Sequence, residues 1–268
     1  MQLFTEINGL RIKYYEYGGT NQRHILFIHG LGTSSVVWRD IPQALSDKFH
    51  TICVDLVGFG GSDIPQVDYT INYFSLFVKS FLKKIGINQG VKISLIGHSL
   101  GGYIATEYAI ENREQVDKII LIDSSGMLKQ PTQLLDEYLN AALESDSKLR
   151  NIKLKKVFEK MLAHPGLLPP IVVNIFSSTI ERPGAKLAFE SAFRNSTTTS
   201  INPEELMKIK DVPCLIIWGK KDNLIPIDHI DKFKQILSDA EVIKIEDAGH
   251  SPHLEKTAII YHKISTFL

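Results

Sequence analysis

The strongest chemical signal in the sequence is a serine between glycines, in the run GHSLGG at positions 97–102. An apolar run, ISLIG, leads into it, and a helical pattern, GGYIATEYAI, follows from it. A serine at such a G-x-S-x-G junction lies on a tight, strained turn that exposes its hydroxyl. The flanking glycines are needed because side chains there would collide with neighbouring backbone. The pattern predicts that Ser99 is a nucleophile and that the Leu100 N–H faces the place where an oxyanion would form.

A hydroxyl nucleophile requires a base, and the base requires an orienting acid. His250 follows the apolar run EVIKI, and Asp222 follows the run CLIIW. Because the carboxyl ends of parallel strands share one edge of a sheet, we expect both side chains to converge with Ser99. Asp123, which ends the run IILID, is the alternative acid, and we rank it behind Asp222.

A third strand end carries the glycine-rich loop IHGLG at positions 28–32. Such a loop lets the Leu31 N–H point at the site as a second oxyanion donor. His29 and His98 flank the site, and we expect them to fix loops through hydrogen bonds. His253 lies three residues after His250 without a set of partner ligands, so we expect a surface or capping role rather than metal binding.

The glycine-rich segments do not favour a nucleotide cofactor. Tyr103 stands where a phosphate-binding loop needs lysine, and the turn at 58–61 lacks the third glycine of a dinucleotide fingerprint. We therefore predict an enzyme without cofactor or metal.

Composition limits the classes of protein further. Thirty basic and thirty acidic residues give a formal net charge of zero, so the chain lacks the excess positive charge that is typical of nucleic-acid-binding proteins. No basic, apolar leader begins the sequence, and no apolar run approaches the roughly 20 residues that span a bilayer. Cys53 and Cys214, the two cysteines, lie in apolar runs and are expected to be free core thiols, as suits a reducing compartment. We expect a cytoplasmic protein without a membrane partner; the oligomeric state stays open.

The elements that must position these residues alternate between strand and helix. Seven apolar runs predict strands: Leu10–Tyr17, Ile25–His29, Thr51–Asp55, Val91–Gly97, Lys118–Asp123, Cys214–Gly219 and Glu241–Ile245. The central runs are apolar throughout, which is typical of parallel strands covered on both faces. A further strand before Asn8-Gly9 would form an antiparallel hairpin at the sheet edge. Five helical patterns lie between them: Val36–Ser46, Tyr73–Ile85, Leu100–Asn112, Ile227–Leu237 and Thr257–Leu268. This alternation predicts an α/β fold.

One stretch, residues 127–200, contains no strand-like run. Its apolar residues recur at helical spacing, for example Leu134, Leu135, Tyr138, Leu139 and Ala142 on one face. We predict about four short helices there, inserted between two strands. The expected division is a core of residues 1–126 and 201–268 and a helical cap of residues 127–200.

With these motifs, the chain resembles the α/β-hydrolase fold superfamily over essentially its whole length. It is most similar to the cap-bearing group of carboxylesterases, carbon–carbon-bond hydrolases and cofactor-free haloperoxidases. The matching segments are those around Gly30, Asp55–Asp63, Ser99, Asp222 and His250. The resemblance implies a mostly parallel eight-stranded sheet with helices on both faces and a cap after the sixth strand. It also implies that Ser99 is nucleophile, His250 base and Asp222 acid, with Leu31 and Leu100 as oxyanion donors. Ser99 argues against the related epoxide hydrolases and haloalkane dehalogenases, which carry aspartate there.

The predicted function is that of a serine hydrolase acting on a small-molecule carboxylic ester. Two alternatives stay open: a carbon–carbon hydrolase of vinylogous diketones, and a ligand receptor with low turnover. The tight turn around Ser99, which we call the elbow, has His98 and Leu100 at positions where the carbon–carbon hydrolases more often carry Asn and Met. This difference favours the esterase. Residues near strand ends are candidates for the substrate pocket: Trp38, Phe59, Ser125, Met127, Leu224 and Ile225.

Overall fold

Eight strands form one sheet in the computed structural model, which describes residues 1–38, 40–167 and 170–268. In chain order they are β1 (Gln2–Ile7), β2 (Leu10–Tyr17), β3 (His24–Ile28), β4 (His50–Val54), β5 (Ile93–His98), β6 (Val116–Ile122), β7 (Cys214–Gly219) and β8 (Glu241–Ile245). Across the sheet the order is β1-β2-β4-β3-β5-β6-β7-β8.

The sheet is parallel except at one edge. β1 and β2 pair antiparallel, and β2 pairs antiparallel with β4, whereas the other five pairs are parallel. Asn8 and Gly9, between β1 and β2, have φ of 51° and 80°. A two-residue hairpin turn of this hand needs positive φ at both positions, which asparagine and glycine tolerate best. The prediction of a mostly parallel eight-stranded sheet with an edge hairpin is confirmed.

Eleven α-helices lie in the described part of the chain. They are α1 (Ile41–Ala44), α2 (Ile71–Lys84), α3 (Leu100–Glu111), α4 (Gln133–Leu143), α5 (Ser147–Met161), α6 (Pro170–Ile180), α7 (Ala185–Thr197), α8 (Pro203–Leu206), α9 (His229–Lys234), α10 (Pro252–Glu255) and α11 (Thr257–Phe267). The short 3-10 helices are Ser35–Trp38, Arg113–Gln115, Pro165–Leu167 and Met207–Ile209.

The predicted helix Val36–Ser46 is wrong. The structure has a 3-10 turn, Ser35–Trp38, and the four-residue α1, while Arg39 lies outside the described residues. Pro42 explains the break, because proline lacks the N–H of a helix interior and its ring clashes with the preceding turn.

Alternate residues of the central strands pack into two separate hydrophobic cores, one on each face of the sheet. In β3, Leu26 and Ile28 pack into the core that contains α2 and α3, whereas Ile25 and Phe27 pack into the core that contains α1 and α11. Both faces of the sheet are therefore covered by helices. This explains why the central strands are apolar throughout rather than alternating.

Four helices, α4 to α7, and then the short α8 lie in the chain between β6 and β7. Helices α4 to α7 belong to the predicted cap. They pack on one another through a cluster of aromatic rings in which Tyr138 contacts Phe158, Phe176 and Phe189. We call residues 127–200 the cap segment. The division of the chain into a core and a cap domain stays a prediction.

The state of the two cysteines and the lengths of the helices can be compared with the predictions from composition. Cys53 and Cys214 are both buried and free, as predicted. Among the described residues, no helix combines the length and the apolar character that crossing a membrane requires.

Candidate active site

Ser99 lies between β5 and α3 in a strained backbone conformation, with φ of 54° and ψ of −120°. Positive φ is uncommon outside glycine and costs on the order of 1–3 kcal/mol. Two glycines make the turn possible. A Cβ on Gly97 would lie 2.3 Å from the Gly101 carbonyl oxygen, and a Cβ on Gly101 would lie 2.1 Å from the Ile28 carbonyl oxygen. As the sequence predicts, no larger residue fits at either position.

Helix α3 begins directly after Ser99. Leu100 is its first residue, so the Leu100 N–H has no acceptor within the helix. The N-terminus of a helix carries a partial positive charge and favours negative charge nearby. The start of α3 can therefore stabilise an anion beside Ser99.

His250 and Asp222 form a hydrogen-bonded pair in the site. His250 Nδ1 lies 2.8 Å from Asp222 Oδ2, and the carboxylate side chain is fully buried. The other oxygen, Asp222 Oδ1, accepts the N–H groups of Leu224 at 2.8 Å and Ile225 at 3.0 Å. Because these donors hold the carboxylate from behind, Oδ2 faces His250 and fixes a proton on Nδ1, leaving Nε2 as a base.

The backbone of His250 is held at both ends. Its carbonyl oxygen accepts from His98 Nε2 at 2.7 Å, and its N–H donates to the Met161 carbonyl oxygen at 2.7 Å. Burial, together with the neighbouring His253 and His250, holds the pKa of His98 well below its ordinary value. His98 is therefore a neutral donor, which fixes the loop as the sequence predicts.

Asp123, the alternative acid, lies beside the pair rather than in it. Its Oδ1 accepts from the Gly219 N–H at 2.9 Å. Burial and the adjacent charge of Asp222 raise the pKa of this carboxyl well above its ordinary value. Ligand atoms of Asp123, Asp222 and His250 lie within 4.8 Å of one another, close enough for a metal ion. The hydrogen bonds already described account for this placement without one.

The loop after β3 presents a fixed peptide. The Gly30 carbonyl oxygen accepts from His29 Nδ1 at 2.8 Å and from Thr33 Oγ1 at 2.9 Å. His29 Nε2 in turn accepts the Leu56 N–H at 3.0 Å, so the proton must lie on Nδ1. Burial lowers the pKa of His29 and keeps it neutral. Since the Gly30 carbonyl and the Leu31 N–H belong to one peptide unit, these bonds also set the direction of the Leu31 N–H.

A cavity of about 420 Å³ contains Ser99 and His250 in its wall, together with Leu31 and Leu100. The cap segment supplies half of its apolar lining residues: Leu128, Leu135, Tyr138, Phe158, Met161, Leu162 and Phe176. The structure thus brings the predicted nucleophile, base and oxyanion donors to one mainly apolar cavity.

Three of the six predicted pocket residues line this cavity: Ser125, Leu224 and Ile225. The prediction is wrong for the other three. Trp38 packs against Phe27 and His253 in the core, and Phe59 packs against Tyr69 and Phe74. Met127 is a buried core residue outside the cavity wall. All three follow strand ends, but their side chains turn away from the site.

His253 also differs from expectation. It is buried, and its ring lies 4.4 Å from that of His98 and 4.9 Å from that of Trp38, centroid to centroid. It therefore lies in the wall of the cavity beside His98 and not at the surface.

The sequence did not reveal the site residues of the cap segment or the role of Glu255. Glu255 accepts the Gly249 N–H through Oε1 at 2.9 Å and the Ala163 N–H through Oε2 at 2.8 Å. It thereby joins the His250 loop to the end of α5. The helical spacing of Leu134–Ala142 predicted that Tyr138 is buried, but not what it contacts.

Comparison with known proteins places this geometry in a family. A family model described as alpha/beta hydrolase fold matches residues 23–257. The chain is similar to the uncharacterized hydrolase YugF of Bacillus subtilis (26% identical, covering 98% of this chain and 96% of that protein). It is also similar to Lipase 1 of Psychrobacter immobilis (29% identical, covering 94% and 78%).

A solved structure shares the fold. The 2-hydroxy-6-oxo-6-phenylhexa-2,4-dienoate hydrolase from Rhodococcus sp. strain RHA1 superposes with a TM-score of 0.85 at 20% identity, covering 100% of this chain and 99% of that one. The family match spans most of the chain, and the sheet order, elbow and strand-end residues agree with it. The chain belongs to the α/β-hydrolase fold family.

Proposed function

We propose that this hydrolase cleaves carboxylic esters through an acyl-enzyme on Ser99. One observation carries the proposal: the hydrogen-bonded pair of His250 and Asp222 faces the cavity in which the strained elbow presents Ser99. A serine on a strained turn, a histidine base and a buried carboxylate are the three parts of a serine hydrolase triad.

In the acylation step, the Ser99 hydroxyl attacks the ester carbonyl carbon while His250 Nε2 takes its proton. The Leu31 and Leu100 N–H groups donate to the oxyanion of the tetrahedral intermediate. Removing one such donor typically costs about 10²–10³ in kcat. When the carbon–oxygen bond to the leaving group breaks, the His250 proton passes to the departing alkoxide.

In the deacylation step, His250 takes a proton from water, and the hydroxide attacks the acyl carbon. The same two N–H groups hold the second oxyanion. Collapse of this intermediate returns the proton from His250 to Ser99 and releases the carboxylic acid. No cofactor enters either step.

The cavity wall supports uncharged acyl groups of short to medium length. Among the described residues that line it, none is lysine or arginine, and the one carboxylate, Glu255, is engaged by two backbone N–H groups. A charged substrate group would enter without a counter-charge, which is costly in an apolar site. A long chain would have to displace the cap segment.

This charge argument weighs against the carbon–carbon hydrolase. The dienoate substrate in the name of the Rhodococcus relative carries a carboxylate, and the described lining offers no lysine or arginine to pair with it. The receptor alternative is distinguished by turnover, because a receptor would hydrolyse its ligand slowly or only once.

The deciding experiment replaces the nucleophile. Ser99→Ala should leave folding nearly unchanged and lower the hydrolysis of p-nitrophenyl esters by roughly 10⁴-fold or more. Ser94→Ala, five positions earlier and buried near the start of the same strand, should keep the activity and serves as control. An organophosphonate should label Ser99 in the parent and in Ser94→Ala but not in Ser99→Ala, as seen by peptide mass spectrometry. Activity of Ser99→Ala within tenfold of the parent would remove Ser99 from the mechanism.

A further inference from the structure

A hydrogen bond joins the cap segment to the loop after β3, residues 29–34, which we call the oxyanion loop. The Tyr138 hydroxyl, on α4, donates to the Leu31 carbonyl oxygen at 3.1 Å, and both groups are buried. Burial raises the pKa of this phenol far above its ordinary value, so it remains a donor at any working pH. A residue 107 positions away in sequence thus holds the loop that carries a proposed oxyanion donor.

The Tyr138 ring has little freedom to move. Its centroid lies 5.1 Å from that of Phe189, 5.6 Å from Phe176 and 5.8 Å from Phe158. Offset and edge-on contacts of this kind stabilise aromatic pairs and fix their orientation. The hydroxyl is therefore delivered to the Leu31 carbonyl in one position.

Gly32 lets this cluster approach the loop. A Cβ there would lie 2.4 Å from a Phe176 ring carbon, 2.7 Å from the Tyr138 hydroxyl and 2.8 Å from a Phe189 ring carbon. The φ of Gly32 is +70°, which also favours glycine. The loop and the cap aromatics are thus packed directly against each other.

The loop is held from two sides that belong to different parts of the chain. The peptide before Leu31 is fixed by His29 and Thr33, from the loop itself. The peptide after Leu31 is fixed by Tyr138, from the cap segment. At the N-terminus of α4, the N-cap residue Thr132 donates through Oγ1 to the Leu224 carbonyl oxygen at 2.9 Å, two residues after Asp222. Helix α4 therefore connects the loop after β7, which carries Asp222, to the oxyanion loop.

We propose that Tyr138 is a positioning residue that orients the Leu31 N–H, so that seating of the cap segment completes the oxyanion site. The proposal rests on the esterase function proposed above. Tyr138 acts through the backbone of Leu31 and takes no part in proton transfer. Its contribution is made where the oxyanion forms, so it affects the transition state more than the bound ester.

The test is Tyr138→Phe, which keeps the ring and removes only the hydroxyl. We expect kcat on a p-nitrophenyl ester to fall about tenfold, part of the effect of losing an oxyanion donor, with KM within about threefold of the parent. Tyr69→Phe is the matched control, because Tyr69 is also buried and donates to a backbone carbonyl, that of Pro65, outside the cavity wall. It should leave kcat and KM unchanged.

Three further measurements distinguish a positioning role from a general loss of active-site structure. An alkyl boronic acid, which forms a tetrahedral adduct on the serine, should bind Tyr138→Phe more weakly by the same factor as kcat falls. The carboxylic acid product, which forms no adduct, should bind as before. Phe189→Leu keeps the Tyr138 hydroxyl but loosens the packing of its ring and of Gly32, and Phe189 does not line the cavity. A kcat loss of about two- to fivefold with KM unchanged would therefore support the positioning role of this packing.

The outcomes are distinguishable. A parent enzyme that hydrolyses no ester and takes no phosphonate overturns the proposed function. An active parent with Tyr138→Phe equal to it in kcat and boronate affinity overturns the positioning role only. A rise in KM at unchanged kcat would show that Tyr138 is merely part of the pocket wall, and so would equal losses in boronate and product affinity.

Discussion

The assignment of Asp222 as the acid can be tested by a single-atom change, Asp222→Asn. The side-chain amide must direct its oxygen one way and its NH₂ group the other. Two N–H donors, from Leu224 and Ile225, already face the Oδ1 position. The amide oxygen will stay there, because turning the NH₂ group toward them would set donor against donor. The NH₂ group is thereby forced toward His250.

This orientation reverses the hydrogen bond to the base. His250 Nδ1, now 2.8 Å from a carboxylate oxygen, would face a donor and would have to accept. Its proton would move to Nε2, the nitrogen that must take the proton of Ser99. The wrong tautomer lowers kcat by on the order of 10⁴ in serine hydrolases of this design. Since both Asp222 Oδ1 donors favour that tautomer here, we expect a loss of about 10³–10⁴.

The assay is steady-state hydrolysis of a p-nitrophenyl ester by Asp222→Asn and Asp123→Asn side by side. Asp123 is the matched control, because it is buried beside Asp222 and its pKa is raised by that burial and by the charge of Asp222. Asp123→Asn should lose less than tenfold in kcat. The reverse ranking would transfer the acid role to Asp123, and equal small losses would show that neither carboxyl orients His250.

Two further predictions concern charge and pocket size. In the unfolded chain Asp123 ionises near pH 4, roughly at the ordinary value of its pKa, but in the fold its pKa is raised. The parent therefore loses stability as pH rises from there toward the folded pKa, and Asp123→Asn does not. Urea unfolding from pH 5 to pH 9, about the range the fold should tolerate, should show the advantage of Asp123→Asn growing with pH. A constant difference would mean that Asp123 is ionised in the fold. For esters with acyl chains of about two to sixteen carbons, kcat/KM should peak at short to medium length. A steady rise to the longest chain, with activation at an oil–water interface, would indicate an opening lid.

The central strands could be predicted because burial on both faces of the sheet requires apolar residues throughout. CLIIW is buried on both faces, and both ends of β7 fall where the sequence places them. The ends of β5 and β6 differ by one or two residues, since polar residues flank their apolar cores. The helix predicted over Val36–Ser46 is wrong because its apolar spacing is typical of a helix, whereas Pro42 within it interrupts one.

The placement of the candidate site residues followed from topology, whereas the pocket wall did not. Residues after parallel strands must share an edge, so Ser99, Asp222 and His250 could be assigned to one place from their sequence context alone. Which side chains face the cavity depends on how the cap segment packs, over separations such as that between Leu31 and Tyr138. Trp38 and Phe59 show the consequence: they are close to the strand ends, but they point into the core.

Backbone strain connects the fold to the proposed chemistry. Among the described residues, three that are not glycine have positive φ: Asn8 in the hairpin turn, Ser99 and Asp123. Ser99 and Asp123 follow β5 and β6, which are neighbours in the sheet, so both strained residues lie at the same edge. Strained conformations persist only where the surrounding structure fixes them.

The adjacent strands supply that constraint. The Ser99 N–H donates to the Ile122 carbonyl oxygen at 3.0 Å, and the Asp123 N–H donates to the Ile217 carbonyl oxygen at 3.0 Å. Each strained residue is thus tied to the next strand across the sheet, toward β7 and the Asp222 loop. A substitution that disturbed β6 or β7 should therefore act on the elbow through these bonds. The edge that holds Ser99 in its strained conformation is the same edge that holds the proposed base and acid, so the strain and the proposed chemistry depend on one set of parallel strand pairs.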